Sequence, residues 1–169
     1  MTLKTFESQE IGDITAESPL QVKRILVPVD FSPASQKAFR HALTLATHFG
    51  SELIVLYVVP PAPASAFTSV DGLPPFSEAD LSAGERNLNV FARSARTQGI
   101  AKASASVRIG LPSHEIVEAA RDADADLIVI ATHGYTGWKH FCIGSTAERV
   151  VRAAPCPVLV VREKEHEFC

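Results

Sequence analysis

The chain has 169 residues, of which 46% are hydrophobic and 21% charged, so it is long enough for one domain with a substantial core. Its formal net charge is −3 and it has no basic run, which argues against a nucleic-acid partner. No apolar stretch approaches the roughly 20 residues of a membrane-spanning helix. Residues 1–22 lack the basic start and apolar centre of a signal peptide. We therefore expect one domain at 23–162, with tails at 1–22 and 163–169 and no membrane contact.

The first strand and the first helix have clear boundaries in the sequence. Residues 23–29 (KRILVPV) predict a strand with a basic start. Ser32 as N-cap and Pro33 at the first helical position then begin a helix. Apolar residues at helical spacing continue to Gly50, which ends the helix, and the apolar run at 53–59 predicts the second strand.

The remainder of the chain continues this alternation. The proline-rich segment at 60–77 predicts a long irregular loop. The pattern then predicts, in order, a helix at 77–98, a strand at 103–109, a helix at 113–123, a strand at 126–131, a helix at 145–154 and a strand at 158–161. Such alternation is typical of a five-stranded parallel sheet with helices on both faces. In the expected strand order 3-2-1-4-5, a ligand binds beyond the carboxyl ends of the first and fourth strands, where the order reverses.

Residues 131–146 (ATHGYTGWKHFCIGST) join the fourth strand to a helix and say most about function. Gly134, Gly137 and Gly144 allow a ligand close to the backbone, and a helix N-terminus offers unpaired N–H groups. These features together predict an anion site, most often for phosphate. The alternative is a glycine-rich loop that only turns the chain. The segment lacks a Walker lysine and a GxGxxG fingerprint, so a nucleotide would be held in another way.

Three stretches resemble the universal stress protein family. They are VPVDFS at 27–32, DLIVIATHG at 126–134 and GSTAERVVRAAPCPVLVV at 144–161. In the register of the family motif G-x2-G-x9-G-[ST], Ala131 and Gly134 stand at the first two glycines, and Gly144-Ser145 stand at the end. The resemblance covers about residues 22–162. It implies an adenine nucleotide α-hydrolase-like fold that binds ATP, and it leaves open whether ADP or AMP is the ligand and whether Mg²⁺ accompanies it.

The resemblance also implies which residues contact the nucleotide. The implied positions are Pro28, Val29, Asp30, Val58, Ala131, His133, Gly134, Gly144, Ser145 and Thr146. Asp30 would lie near the adenine and ribose, Val58 would contact the base, and residues 144–146 would hold the phosphates. Two alternatives remain from the residues themselves: Asp30 only caps or faces solvent, and His133 is a solvated loop residue.

Ala131 departs from the family pattern, because it stands where the motif has its first glycine. If this position required a positive φ, alanine would cost about 1 kcal/mol. If the residue simply ends a strand, alanine is harmless. We expect the second case, because Ile130, Ala131 and Thr132 together indicate a continuing strand.

Three functions compete for this sequence. The first is a nucleotide-binding regulatory protein that responds to ATP and acts through a partner. The second is a slow ATPase or adenylyl-transferring enzyme, and the third is a nucleotide-free interaction module of the same fold. Lys139 is the only cation near the glycine loop and matches neither a P-loop lysine nor an arginine finger, and no GxSxG motif is present. The sequence therefore favours the first function, with no catalytic residue.

The cysteines predict the compartment and limit metal chemistry. Cys142, Cys156 and Cys169 form no CxxC pair, which favours a reducing cytoplasm over a disulfide framework. His133 and His140 lie close to Cys142 in the chain, but their spacing matches no common zinc pattern. We expect a cytoplasmic protein without a bound metal of its own.

The last predicted strand, 158–161, lies at the sheet edge in the expected order and is apolar. An unprotected apolar edge favours pairing with a second chain. We therefore expect a homodimer through residues 156–162, and the family resemblance implies the same. The alternative is an edge covered by the N-terminal tail.

Overall fold

The computed structural model describes residues 21–61, 78–132 and 144–162, with the backbone alone at 78–80. Within these ranges strands and helices alternate along the chain. They are β1 (Arg24–Pro28), α1 (Pro33–Phe49), β2 (Glu52–Val59), α2 (Glu78–Thr97), β3 (Ala103–Ile109), α3 (Pro112–Asp122), β4 (Leu127–Ala131), α4 (Ser145–Ala153) and β5 (Val158–Val161). The predicted elements are confirmed, with boundaries that differ by one or two residues. α3, for example, begins at Pro112 and not at Ser113.

The strands form one parallel sheet in the order β3-β2-β1-β4-β5, which confirms the predicted topology. Ile25 on β1 pairs with Leu53 on one side and with Leu127 on the other. At the amino end of β1, the backbone N–H groups of Lys23 and Arg24 both donate to the Asp126 carboxylate at 2.8 Å. The chain order reverses between β1 and β4, so the connections diverge at the carboxyl ends of these two strands.

Helices cover both faces of the sheet and create two apolar cores. α1 and α2 pack on the first face, against residues such as Val27 and Val55. α3 and α4 pack on the second face, against residues such as Leu26 and Ile128. Side chains alternate between the faces along each strand, and Tyr57 accordingly packs with the first core whereas its neighbour Val58 belongs to the second.

Local sequence signals determine both ends of α1, the helix that follows β1. Ser32 is the N-cap, and its hydroxyl accepts a hydrogen bond from the Ser35 N–H at 3.2 Å. Gly50 ends the helix with φ 68°, a left-handed conformation that glycine adopts without a steric cost. Both predictions for this helix are confirmed.

The predicted N-terminal tail, the loop at 60–77 and the C-terminal tail lie largely outside the described residues, so their boundaries stay predictions. Val22, at the beginning of the described part, is buried in the first core. In the part of the chain that the structure describes, none of the helices combines the length and the apolar character that crossing a membrane requires.

Candidate functional site

A cavity of about 550 Å³ opens at the carboxyl ends of β1 and β4, where the strand order reverses. Its volume lies in the range of small-molecule sites, about 300–1,000 Å³. The residues that line it are Pro28, Val29, Asp30, Leu56, Tyr57, Val58, Pro60, Pro112, Ile116, Ile130, Ala131, Thr132, Gly144, Ser145, Thr146 and Ala147.

Most residues that the sequence predicted for the site meet at this cavity. β1 and the turn after it contribute Pro28, Val29 and Asp30, β2 contributes Val58, β4 contributes Ala131, and the start of α4 contributes Gly144, Ser145 and Thr146. His133 and Gly134 lie outside the described residues. The structure thus brings the described candidates together, and their contact with a nucleotide stays a prediction.

The N-terminus of α4 is the anion-binding feature of the cavity. Gly144 is its N-cap and, as glycine, has no side chain with which to cap the helix. The first intrahelical bond runs from the Glu148 N–H to the Gly144 carbonyl at 3.0 Å. The N–H groups of residues 145–147 consequently have no acceptor within the helix. Three backbone donors and the positive end of the helix dipole therefore lie at the cavity.

The start of α4 is bonded directly to the end of β4. The Gly144 N–H donates to the Thr132 carbonyl at 2.7 Å. Thr132 is held in turn by β5, because its N–H donates to the Val161 carbonyl at 2.9 Å and its hydroxyl donates to the same oxygen at 3.4 Å. The first turn of α4 is thereby fixed beside the end of β4.

Ala131 occupies ordinary strand conformation. It is the last residue of β4 and pairs with Val161. Among the described non-glycine residues, only Phe31 and Asp124 have a positive φ. The expectation that alanine is conformationally harmless at this position of the motif is confirmed.

Asp30 organises the turn between β1 and α1. Its Oδ1 accepts hydrogen bonds from the Ser32 hydroxyl at 2.6 Å and from the Ser32 N–H at 3.1 Å. Its own N–H donates to the Ser35 hydroxyl at 3.3 Å. Asp30 therefore supports the start of α1 and also lines the cavity. A role in the turn does not exclude the predicted contact with a ligand.

Sequence reasoning missed part of the lining. Thr132 lies inside the recognised motif, directly after a predicted strand, and that position was the available signal. Pro112 and Ile116 come from α3, which no motif connects with the site.

The cavity has apolar walls, which Pro112 and Ile116 form together with Val29 and Val58, beside the polar groups of Asp30 and α4. An apolar slot next to backbone N–H donors suits a planar base that carries phosphate.

Within the described ranges, no group of three or more His, Cys, Asp or Glu side chains is arranged to hold a metal ion. The candidates His133, His140 and Cys142 lie outside those ranges. Among the described residues, Cys156 has a raised pKa, and it lies near the amino end of β5 and not at the cavity. Burial, and to a smaller degree the charge of Asp126, raises the pKa of this thiol.

Comparisons with known proteins agree with the geometry of the fold. The model of the universal stress protein family matches residues 21–162. A universal stress protein of Methanocaldococcus jannaschii is 37% identical over 145 residues, which cover 86% of this chain and 85% of that protein. The solved universal stress protein UspA from Lactobacillus plantarum is 31% identical with a TM-score of 0.74, over 84% of this chain and 99% of that chain.

A third comparison concerns the fold alone. The universal stress protein from Archaeoglobus fulgidus, solved in complex with dAMP, is 20% identical with a TM-score of 0.62. The match covers 85% of this chain and 99% of that one.

Proposed function

The chain belongs to the universal stress protein family, and on that premise we propose that it binds ATP in the cavity between β1 and β4. The observation that carries the proposal is the start of α4, where no side chain of the N-cap residue caps the helix. The N–H groups of residues 145–147 have no acceptor within the helix and border a cavity of about 550 Å³ with apolar walls. An anion gains about 0.3–1 kcal/mol from a helix dipole, and charge-assisted hydrogen bonds add to this.

Each part of the nucleotide has a proposed position. The adenine packs against Val29 and Val58, and the ribose lies near Asp30. The phosphates accept hydrogen bonds from the N–H groups of residues 145 and 146 and from the Ser145 hydroxyl, beside Gly144, whose own N–H donates to Thr132. The complex of the A. fulgidus protein with dAMP supports an adenine nucleotide, because the same fold holds one there.

Mg²⁺ is proposed to come with the phosphates and not to occupy a site of its own. Asp30 is the only carboxylate in the described lining, and its Oδ1 already accepts two hydrogen bonds from Ser32. Mg²⁺ commonly keeps several waters and takes few protein ligands when it accompanies nucleotide phosphates.

The proposed role is nucleotide-responsive regulation in the cytoplasm, in resistance to stress. The contact between Thr132 and β5 supports this role, because it joins the cavity directly to an edge of the sheet. A nucleotide bound against Thr132 and Gly144 would therefore favour one position of β5 relative to β4. We further propose that β5 forms a homodimer, since it is an edge strand whose Leu159 is 40% exposed.

Nucleotide binding is tested on purified protein in two steps. Acid extraction and chromatography identify any co-purified nucleotide, and calorimetry then measures the affinity of the stripped protein for ATP, ADP, AMP and GTP. We expect tighter binding of ATP than of GTP, and little ADP after prolonged incubation with ATP. Rapid turnover would identify an enzyme instead, and an absence of adenine nucleotide binding would favour an interaction module.

A further inference from the structure

Phe31, directly after Asp30, has a left-handed backbone with φ 66°. For a bulky side chain this conformation is costly and uncommon, and it persists only where the surrounding structure holds it. Phenylalanine has no polar side-chain group that would offset this strain. The groups around the turn must therefore hold its backbone.

The ring of Phe31 is partly buried and packs against aromatic rings from two other elements. Its centroid lies 4.7 Å from that of Tyr57 on β2 and 5.9 Å from that of Phe91 on α2. The Tyr57 ring lies flush on α2 at Gly84, where an added Cβ would stand 2.5 Å from a ring carbon. The edge-to-face contact of Phe91 with Phe39, at 4.8 Å, continues the cluster into α1.

The backbone of Phe31 determines the direction of Asp30. The carboxylate of Asp30 bonds to the N–H and hydroxyl of Ser32, so a hydrogen-bonded ring closes across Phe31. Gln36 also holds the Phe31 carbonyl, through its side-chain amide at 3.1 Å. A rotation of φ at Phe31 would open this ring and turn the Asp30 carboxylate relative to the cavity that it lines.

We propose that Phe31 is a positioning residue for the nucleotide site: its contacts with Tyr57 and Phe91 hold a left-handed turn that aims Asp30 at the bound ligand. The inference rests on the proposed function, because the ligand in question is the adenine nucleotide. It adds that the affinity of the site depends on the backbone conformation of a residue whose side chain packs in the first core, on the opposite side of β2 from Val58.

Two variants at this position separate backbone conformation from ring packing. Phe31→Ala and Phe31→Gly both remove the ring, but only glycine adopts the left-handed conformation freely. We expect Phe31→Ala to bind ATP about fivefold or more weakly than the wild type, since the competent turn is populated less. Phe31→Gly should stay within about twofold of the wild type, although its melting temperature falls as well. Equal ATP affinity of the two variants would overturn the proposal.

A matched control comes from the same cluster. Phe39 contacts Phe91 but lies in the regular helix α1. Phe39→Leu should lower the melting temperature and leave ATP affinity within about twofold of the wild type. If Phe39→Leu weakened binding as much as Phe31→Ala, the loss would reflect general stability, and the positioning role would be wrong.

A measurement without nucleotide tests the turn itself. The Ser32 amide, which donates to Asp30, should exchange with solvent faster in Phe31→Ala than in Phe31→Gly or the wild type. The Leu43 amide, in the middle of α1, is the reference for overall stability. Equal exchange rates of the Ser32 amide in both variants would overturn the positioning role, whether or not the wild type binds an adenine nucleotide. A wild type that binds no adenine nucleotide would separately reject the proposed function.

Discussion

Gly144 and Ala131 show that the positions of one glycine motif have different physical requirements. Ala131 ends β4 without a positive φ, so any small residue suits the backbone there. Gly144 has φ −59° and ψ 148°, a conformation that any residue adopts. A requirement for glycine at position 144 therefore reflects the space beside the N–H groups of α4 and not backbone freedom.

Gly144→Val should abolish ATP binding while the protein stays folded. A branched side chain at the N-cap would occupy the volume in which phosphate meets the helix N-terminus. Ala131→Gly is the control and should change affinity by less than about twofold, because its φ already suits alanine. Calorimetry and circular dichroism measure binding and folding. Unchanged ATP affinity in folded Gly144→Val would show that phosphate binds elsewhere.

Cys156 yields a prediction about pH. Because burial raises its pKa in the folded state, the thiol favours folding below the ordinary thiol pKa of about 8.5, and this contribution is lost as pH rises through the folded pKa. The unfolding free energy should therefore fall more steeply above pH 8.5 in the wild type than in Cys156→Ser. Denaturant titrations across this range measure both slopes.

The charge of Asp126 is the second cause of this pKa shift and provides a control. Asp126→Asn keeps an acceptor oxygen for the N–H groups of Lys23 and Arg24 but removes the charge. In a background with Cys142 and Cys169 replaced by serine, the variant should react faster with iodoacetamide than its parent near pH 8.5. An unchanged rate would contradict the contribution of Asp126.

At the scale of elements, α2 approaches β2 closely because it has a glycine where the two meet. Gly84 is buried within α2, although glycine is unfavourable there by about 1 kcal/mol relative to alanine. The Tyr57 ring occupies the space that a side chain would need. The packing of one aromatic ring thus outweighs the helix propensity of this position.

Gly84→Ala should therefore lower the free energy of unfolding, opposite to the effect expected from propensity. The exposed Ser82→Ala, on the same helix, is the control and should be neutral or slightly stabilising. In a Tyr57→Leu background the clash is removed, so the same Gly84→Ala change should become less harmful or favourable. Urea denaturation measures the wild type, the three single variants and the Tyr57→Leu/Gly84→Ala double variant. A stabilising Gly84→Ala in the wild-type background would contradict the close contact.

The β5 edge of the sheet is the surface at which we expect two chains to pair. Val160 packs partly against the second core, so a charge there would also disturb the fold. Leu159 is exposed and offers the cleaner test. Light scattering should show a homodimer for the wild type and a folded monomer for Leu159→Lys.

The opposite edge of the sheet supplies the control for assembly. Ala105 is exposed on β3, and Ala105→Lys should remain dimeric. A monomeric wild type, or a dimer that tolerates Leu159→Lys, would remove β5 from the interface. Such a result would favour the alternative in which the N-terminal tail covers this edge.

Patterns in the sequence predicted the elements, their order and eight of the residues that line the cavity. Strand and helix patterns, the Ser32 cap, the Gly50 stop and the glycine motif are local signals, because backbone preference and side-chain periodicity act over a few residues. The topology followed, since parallel strands with right-handed connections leave few arrangements. Asp30 and Gly144 were therefore predictable as neighbours across the point where the strand order reverses.

Features that depend on contacts between distant segments could be seen only in the folded chain. Pro112 and Ile116 line the cavity because α3 crosses the second face of the sheet, which no local pattern specifies. Phe31 adopts a backbone that its own preferences disfavour, and rings from β2 and α2 pack against its side chain. A pattern of neighbouring residues cannot predict a backbone conformation that is unfavourable for the residue itself. The left-handed turn that directs Asp30 could therefore be recognised only in the folded structure.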